Sequence, residues 1–216
     1  MFFGSIDEKA KPQIQLGMGD WEQYKILMDR RIYLTSEIKS ADCECDEFCR
    51  SPIMQMVGDI MEINRYDEEH GIPLEDRKPI RLYINSPGGE INEGFALVST
   101  IEISKTPIWT INIGMWASMA FLIGISGHRR FSLPNMTFLM HDGTNFAWDS
   151  GNKAQDKMKF DDRFSSEVIK AHVLKHSSMT DVEYDGLARV EYYMLPKDAL
   201  KQGFIDEIVE DINTIL

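Results

Sequence analysis

The sequence predicts an α/β fold, and three observations carry that reading. Short β-branched runs at 80–84 and 107–113 alternate with stretches of helical apolar spacing at 91–103 and 118–125. Turn chemistry separates the two kinds of run: Ser86-Pro-Gly-Gly89 follows the first strand and Gly114 the second. The chain has 216 residues, enough for one domain with a real core, and it contains no internal repeat or low-complexity tract.

Each element follows from its local pattern. Residues 1–20 mix Gly, Lys, Pro and Gln with little periodicity and are expected to form a mobile N-terminal arm, leaving 21–216 as the folded domain. Residues 21–28 read as a short helix and 31–34 as a strand. Residues 40–50 are acidic, carry Cys43, Cys45 and Cys49, and read as a loop. A helix is expected over 54–64, where Met54, Val57, Ile60 and Met61 recur at helical spacing. Residues 67–78 are charged, contain Gly71 and Pro73, and read as a loop. In the helix over 91–103, Phe95, Val98 and Ile101 share one face. Residues 130–133 and 136–141 are short strands around a Pro134-Asn135 turn, followed by a polar loop over 142–152. A long helix is expected over 153–175, with Phe164, Val168, Ala171 and Leu174 as its apolar seam. Pro196 opens a short helix that Gly203 closes, and 204–209 is the last strand.

Charge narrows the function classes. The formal net charge is −12, from 23 basic and 35 acidic side chains. Such a chain has no general attraction to nucleic acid or to an anionic membrane. The apolar stretch 108–125 is interrupted by Asn112, two glycines and Ser118, which argues against a membrane span. Met1-Phe-Phe-Gly4 lacks the basic and apolar regions of a signal peptide. Three cysteines without an even disulfide framework are expected of a reducing, cytoplasmic setting.

The most informative stretch is Gly114-Met-Trp-Ala-Ser118-Met-Ala. A serine at a strand-to-helix corner projects its hydroxyl, and the helix N-terminus behind it favours developing negative charge. Serine hydrolysis also needs a base, a group that holds the base, and donors for the oxyanion. His141, at the end of a short apolar strand, is the candidate base. Gly88 and Gly89 form a turn whose N–H groups can approach a substrate, and the N–H of Met119 would be the second oxyanion donor. Each feature has an ordinary reading too: a helix N-cap for Ser118, a plain turn for the glycines, a packed or surface histidine for His141.

Together and in this order, the motifs resemble the ClpP family, the proteolytic subunits of Clp proteases, which are serine peptidases of the ClpP/crotonase fold. The family's Tyr-Ile-Asn-Ser-Pro-Gly-Gly is matched by Tyr83-Ile-Asn-Ser-Pro-Gly-Gly89. Its Gly-x-Ala-Ala-Ser-Met is matched by Gly114-Met-Trp-Ala-Ser118-Met119, and its Leu-Pro-Asn-Ser…His by Leu133-Pro-Asn-Met…His141. Its Ala-x-x-Tyr-Gly-Leu-(Ile/Val)-Asp ending is similar to Ala199-Leu-Lys-Gln-Gly203-Phe-Ile-Asp206. The resemblance spans about 21–210. It implies repeated ββα units with a protruding long handle helix, here from Lys153. It further implies Ser118 as nucleophile, His141 as base, and Gly89 with Met119 as the oxyanion hole. No cofactor and no metal are implied.

The chain also departs from the family. The third triad member there is an Asp; an ungapped count back from Gly203 reaches Glu191, with Asp185 as the alternative. Val190 stands where the family has an Arg used in ring–ring contacts. Asp142-Gly-Thr-Asn-Phe-Ala-Trp148 replaces the family's Gln-Pro and Gly-rich segment beside the substrate. Family members that dock an ATPase ring often carry two tyrosines before the Asn-Ser-Pro-Gly-Gly motif; this chain keeps Tyr83 and has Arg81 at the other place. Cys43-x-Cys45-x3-Cys49 lacks the usual zinc-knuckle spacing. His172 and His176, four apart on the long helix, can share a metal or simply be solvated or packed there.

The resemblance implies a serine endopeptidase that cleaves unfolded polypeptides inside a chamber of two heptameric rings, a tetradecamer. The N-terminal arm would line the axial entrance, and an AAA+ unfoldase of the ClpX, ClpA or ClpC type would be the partner. The chain has no P-loop, so ATP chemistry would belong to that partner. A weak or inactive ring component is the first alternative, although such paralogues lose the serine or histidine kept here. Acyl-CoA chemistry on the crotonase fold is the second.

Overall fold

The computed structural model describes residues 27–40, 51–141, 151–187 and 190–216. The expected arm at 1–20, the cysteine loop and most of the polar loop after His141 lie outside them. The α/β expectation matches the architecture. Five strands lie side by side and parallel in the order β1 (Arg31–Leu34), β2 (Ile80–Ser86), β3 (Ile108–Ala117), β4 (Arg129–Ser132) and β7 (Glu207–Ile208). The first half of β3 sits between β2 and β4. Its last three residues pair instead with β5 (Thr137–Met140), which takes β6 (Tyr192–Met194) antiparallel on its other side.

The helices are α1 (Pro52–Glu69), α2 (Ile91–Ile103), α3 (Met119–Ile125), α4 (Gly151–Phe164), α5 (Lys170–Lys175), α6 (Asp181–Leu187) and α7 (Pro196–Lys201). One face of the sheet packs on α1, α2 and α3. Leu82 and Ile84 point into that core with Ile60, Ile63, Leu97, Trp116, Phe121 and Phe138. Tyr83, between them on β2, faces the opposite side, where a smaller cluster joins it to Ile111, Phe131, Val209 and Ile215. This split is the period-two signature of a strand covered on both faces.

Three elements differ from the sequence reading. The helix expected over 54–64 runs from Pro52 to Glu69, so the expected loop at 67–78 yields its first turn to α1. Ser51 caps its start by accepting the Met54 N–H, and Asp67 is buried near its end because Arg30 and Thr106 hydrogen-bond it. Secondly, β3 does not stop at Gly114. Ile84 pairs with Asn112 but Ser86 with Trp116, so the strand bulges and continues. The Asn112 side chain holds the bulge, accepting the Gly114 N–H and donating to the Thr137 carbonyl, both at 3.0 Å. A Cβ at Gly114 would fall 2.2 Å from Asn85 Oδ1, so the Asn85 side chain packs closely over the bulge. Thirdly, the last strand shortens to Glu207–Ile208.

The long helix is present, but a π turn at Ser165–Ile169 joins α4 to α5. A π turn inserts a residue and rotates everything after it. The apolar seam therefore passes from Phe164 to Ile169 and Val173, and the expected Val168 and Ala171 face solvent. The α4 part is largely exposed, including the apolar Met158 and Phe160. Among the helices and strands described, α6 and β6 had no counterpart in the sequence reading, nor had the 3-10 turns at Leu74–Asp76 and Ile212–Ile215.

Candidate active site

Ser118 sits where β3 turns into α3. Its backbone has φ 54 and ψ −124, a conformation side-chain-bearing residues seldom adopt. The N–H of Ser118 donates to Leu139 O at 3.0 Å, which ties the corner to β5. Its side chain makes no capping bond, so the plain N-cap reading does not hold. Ser118 is half-buried and lines a cleft at the start of α3.

Strand pairing places the next two residues. In the β5–β6 ladder Met140 stands opposite Tyr192, which puts His141 opposite Glu191 one step further on. Their side chains meet, Nδ1 to Oε1, at 3.3 Å. Tyr193 also bonds Glu191, which raises the phenol above its ordinary value. The other imidazole nitrogen, Nε2, is buried and has no hydrogen-bond partner among the described residues, Ser118 included. Asp185, the alternative carboxylate, lies on α6 and pairs with Lys170 at 2.8 Å.

The two glycines lie against the serine corner. Gly88 has φ 94; a Cβ there would fall 2.8 Å from both Met119 N and Ser118 Cβ. Gly89 has φ 141, and a Cβ would fall 2.1 Å from the Ile38 carbonyl oxygen. The Ile38 N–H donates to the Gly88 carbonyl at 2.8 Å, and the Ile38 carbonyl accepts the Glu90 N–H at 2.9 Å. That parallel bridge turns the intervening Gly89 N–H away from Ile38. The Met119 N–H, at the first turn of α3, has no intrahelical acceptor.

Ser118 and His141 line one cleft, walled by Ile91, Met119, Leu122, Met140, Ile169 and Val173 with Tyr184 and Ser165 at its edge. The arrangement can hold an acyl group at a serine hydroxyl, with an imidazole and two backbone donors close by and an apolar side chain accommodated beside them. β6 is what sequence reasoning missed here; its strand is only Tyr192–Met194, too short for a periodic signal.

Other singled-out residues fall elsewhere. His172 is buried and His176 partly so, and both turn to Glu102 of α2, a residue the sequence did not connect with them. Burial lowers both imidazoles. Burial raises Glu102, but bonds from Lys175 and His176 outweigh it and hold the carboxyl at about 2. On the opposite sheet face Tyr33 of β1 stacks on its register partner Tyr83 with ring centres 5.0 Å apart, while Arg81 stands opposite Arg31. Val190 is exposed. No helix among the described residues is long and apolar enough to cross a membrane.

Comparison with known proteins bears on this geometry. The family model described as Clp protease matches residues 73–212. The chain is 31% identical to the ATP-dependent Clp protease proteolytic subunit of Streptococcus mutans, over 87% of this chain and 88% of that protein. It is 30% identical to the protein of the same name from Streptococcus sanguinis, covering 88% and 89%. The Deinococcus radiodurans protein of that name is 28% identical, with coverage of 86% and 83%.

Proposed function

The chain belongs to the Clp protease family, and on that premise we propose that it is a serine endopeptidase using Ser118, His141 and Glu191. The Ser118 hydroxyl attacks the scissile carbonyl as His141 Nε2 takes its proton. Glu191 accepts from the Nδ1–H, fixes the tautomer and steadies the imidazolium. The oxyanion is received by the Gly89 and Met119 N–H groups. His141 returns the proton to the leaving amine, which departs and leaves an acyl-serine. Water, deprotonated by the same imidazole, then releases the acid and restores the hydroxyl. The observation that carries this reading is the His141–Glu191 pair at 3.3 Å, with a buried Nε2 that has no partner among the described residues, in the cleft that Ser118 lines.

The natural substrates in this reading are unfolded polypeptides cut inside a chamber of stacked heptameric rings, in the cytoplasm, with an AAA+ unfoldase supplying the chain. The exposed α4 with Met158 and Phe160 supports a ring–ring contact. The stacked Tyr33 and Tyr83 support a docking face of mixed character beside Arg81. The test is hydrolysis of a fluorogenic peptide by the purified chain, with native mass on the same sample. The reading expects turnover on a ring-sized species and none after Ser118→Ala or His141→Ala. Equal turnover in either variant overturns it. An assembled ring without turnover, alone or with an unfoldase, favours the inactive ring component.

A further inference from the structure

We infer that Glu102, His172 and His176 form a binding site for a divalent transition cation of the zinc class, clamping α5 to α2. One oxygen of Glu102, Oε1, lies 2.9 Å from His176 Nε2 and 3.4 Å from His172 Nδ1. All three ligand atoms lie within 4.8 Å of one another. Ligands of a tetrahedral zinc stand roughly 3.3 Å apart, given bonds of about 2.0–2.1 Å, so only the two imidazoles need to close in. Two nitrogens and one carboxylate oxygen are a donor set that suits zinc better than calcium or magnesium.

The orientation of His172 is the independent observation. Its Nε2 lies 3.0 Å from the Leu122 carbonyl, which can only accept, so Nε2 carries a proton. Ser126 donates to the same carbonyl at 2.8 Å and cannot also supply a proton to the ring. The bond to Leu122 anchors the ring through Nε2 and turns Nδ1 toward the Glu102 carboxylate, 3.4 Å away, where a cation would sit between them. A ring held through its second nitrogen by a backbone carbonyl is also the usual outer-shell support of a metal-bound histidine.

Lys175 now answers that carboxylate, with Nζ 2.8 Å from Oε1, but its side chain is 60% exposed and free to swing out. The metal would replace it and move the His176 ring proton to Nδ1 or to solvent. Arg130 holds the adjoining backbone through the His176 carbonyl at 2.8 Å and stays in place. The site adjoins the cleft, since Leu122 and Val173, next to His172, are cleft residues.

The test is zinc titration of the chelator-stripped full chain by calorimetry, with a parallel cobalt absorption spectrum. Cys43, Cys45 and Cys49 are changed to Ser throughout to remove competing thiolates. The expected result is one zinc per chain and a cobalt spectrum of nitrogen and oxygen ligation. His176→Gln and Glu102→Gln should each weaken binding about 100-fold or more, and Lys175→Gln should tighten it about 10-fold. Circular dichroism checks the fold of each variant, and the Lys175→Gln result stands whether or not the ligand variants fold. No binding by the parent, or unchanged affinity in folded His176→Gln and Glu102→Gln, overturns the site. Binding is read without turnover, so its failure leaves the peptidase reading untouched.

Discussion

Glu191 and His141 face each other across an antiparallel pair of strand ends, Oε1 to Nδ1 at 3.3 Å. The contact is made by register rather than by proximity in sequence. Of the two carboxylates that the sequence left open, Glu191 lies against His141 and Asp185 is paired with Lys170.

Replacing Glu191 should therefore cost activity where replacing Asp185 does not. Glu191 is more than half exposed, so water can partly take its place. Glu191→Gln is expected to lower kcat on a fluorogenic peptide about 10–100-fold, less than loss of a fully buried triad acid. Asp185→Ala should stay within about 2-fold. Equal small effects from both would remove Glu191 from the triad.

The glycine corner should tolerate no side chain. Gly89→Ala would drive a Cβ against the Ile38 carbonyl oxygen at 2.1 Å, in backbone rather than at a flexible tip. The expected cost is about 3 kcal/mol in urea unfolding, with loss of peptide turnover. Gly71, whose φ is 61 but whose surroundings are open, is the control: Gly71→Ala should cost about 1 kcal/mol and leave turnover intact.

Acid sensitivity should trace in part to Asp67. Burial raises this carboxyl, but hydrogen bonds from Arg30 and Thr106 and the Arg30 and Arg77 charges outweigh it and set it below the ordinary aspartate value. A group lowered in the fold stabilises fully above its unfolded value, about 3.9. That contribution is lost as pH falls through the lower, folded value. Asp67→Asn should flatten the fall of the urea midpoint on acidification below about pH 4. At pH 7, Asp67→Ala should cost about 3–5 kcal/mol, since it strands a buried guanidinium. An unchanged acid profile in Asp67→Asn would contradict the assignment.

The cleft wall should select the residue on the acyl side of the cut. Ile169, Val173 and Leu122 offer no partner to a charge. Peptides with Leu there should exceed those with Asp in kcat/KM by about 100-fold or more. Ile169→Arg should narrow or reverse that ratio. A ratio unmoved by it would place the side chain elsewhere.

Much of this was legible in the sequence because it is local. The alternation of β-branched runs with helical spacing yields β2, α2, β3 and α3 nearly to the residue for Ile91–Ile103. Gly88, Gly89 and Ser118 stand out because turn chemistry and corner position are written in adjacent residues. What was not legible depends on long-range pairing. Nothing local in β3 says that Asn112 will reach Thr137 and carry the strand past Gly114. The π turn has no composition signal, so the seam over Phe164, Val168, Ala171 and Leu174 followed an ideal α-helix and missed Ile169 and Val173. Glu102 meets His172 and His176 only once α2 and α5 pack.

Ser118 as nucleophile is tested by fluorophosphonate labelling of the intact chain beside Ser118→Ala, read by intact mass and peptide mapping. One adduct per chain is expected, on Ser118, absent from the variant and slowed by His141→Ala. An adduct that persists in Ser118→Ala, or peptide turnover by a chain that takes no adduct, would rule Ser118 out as the nucleophile.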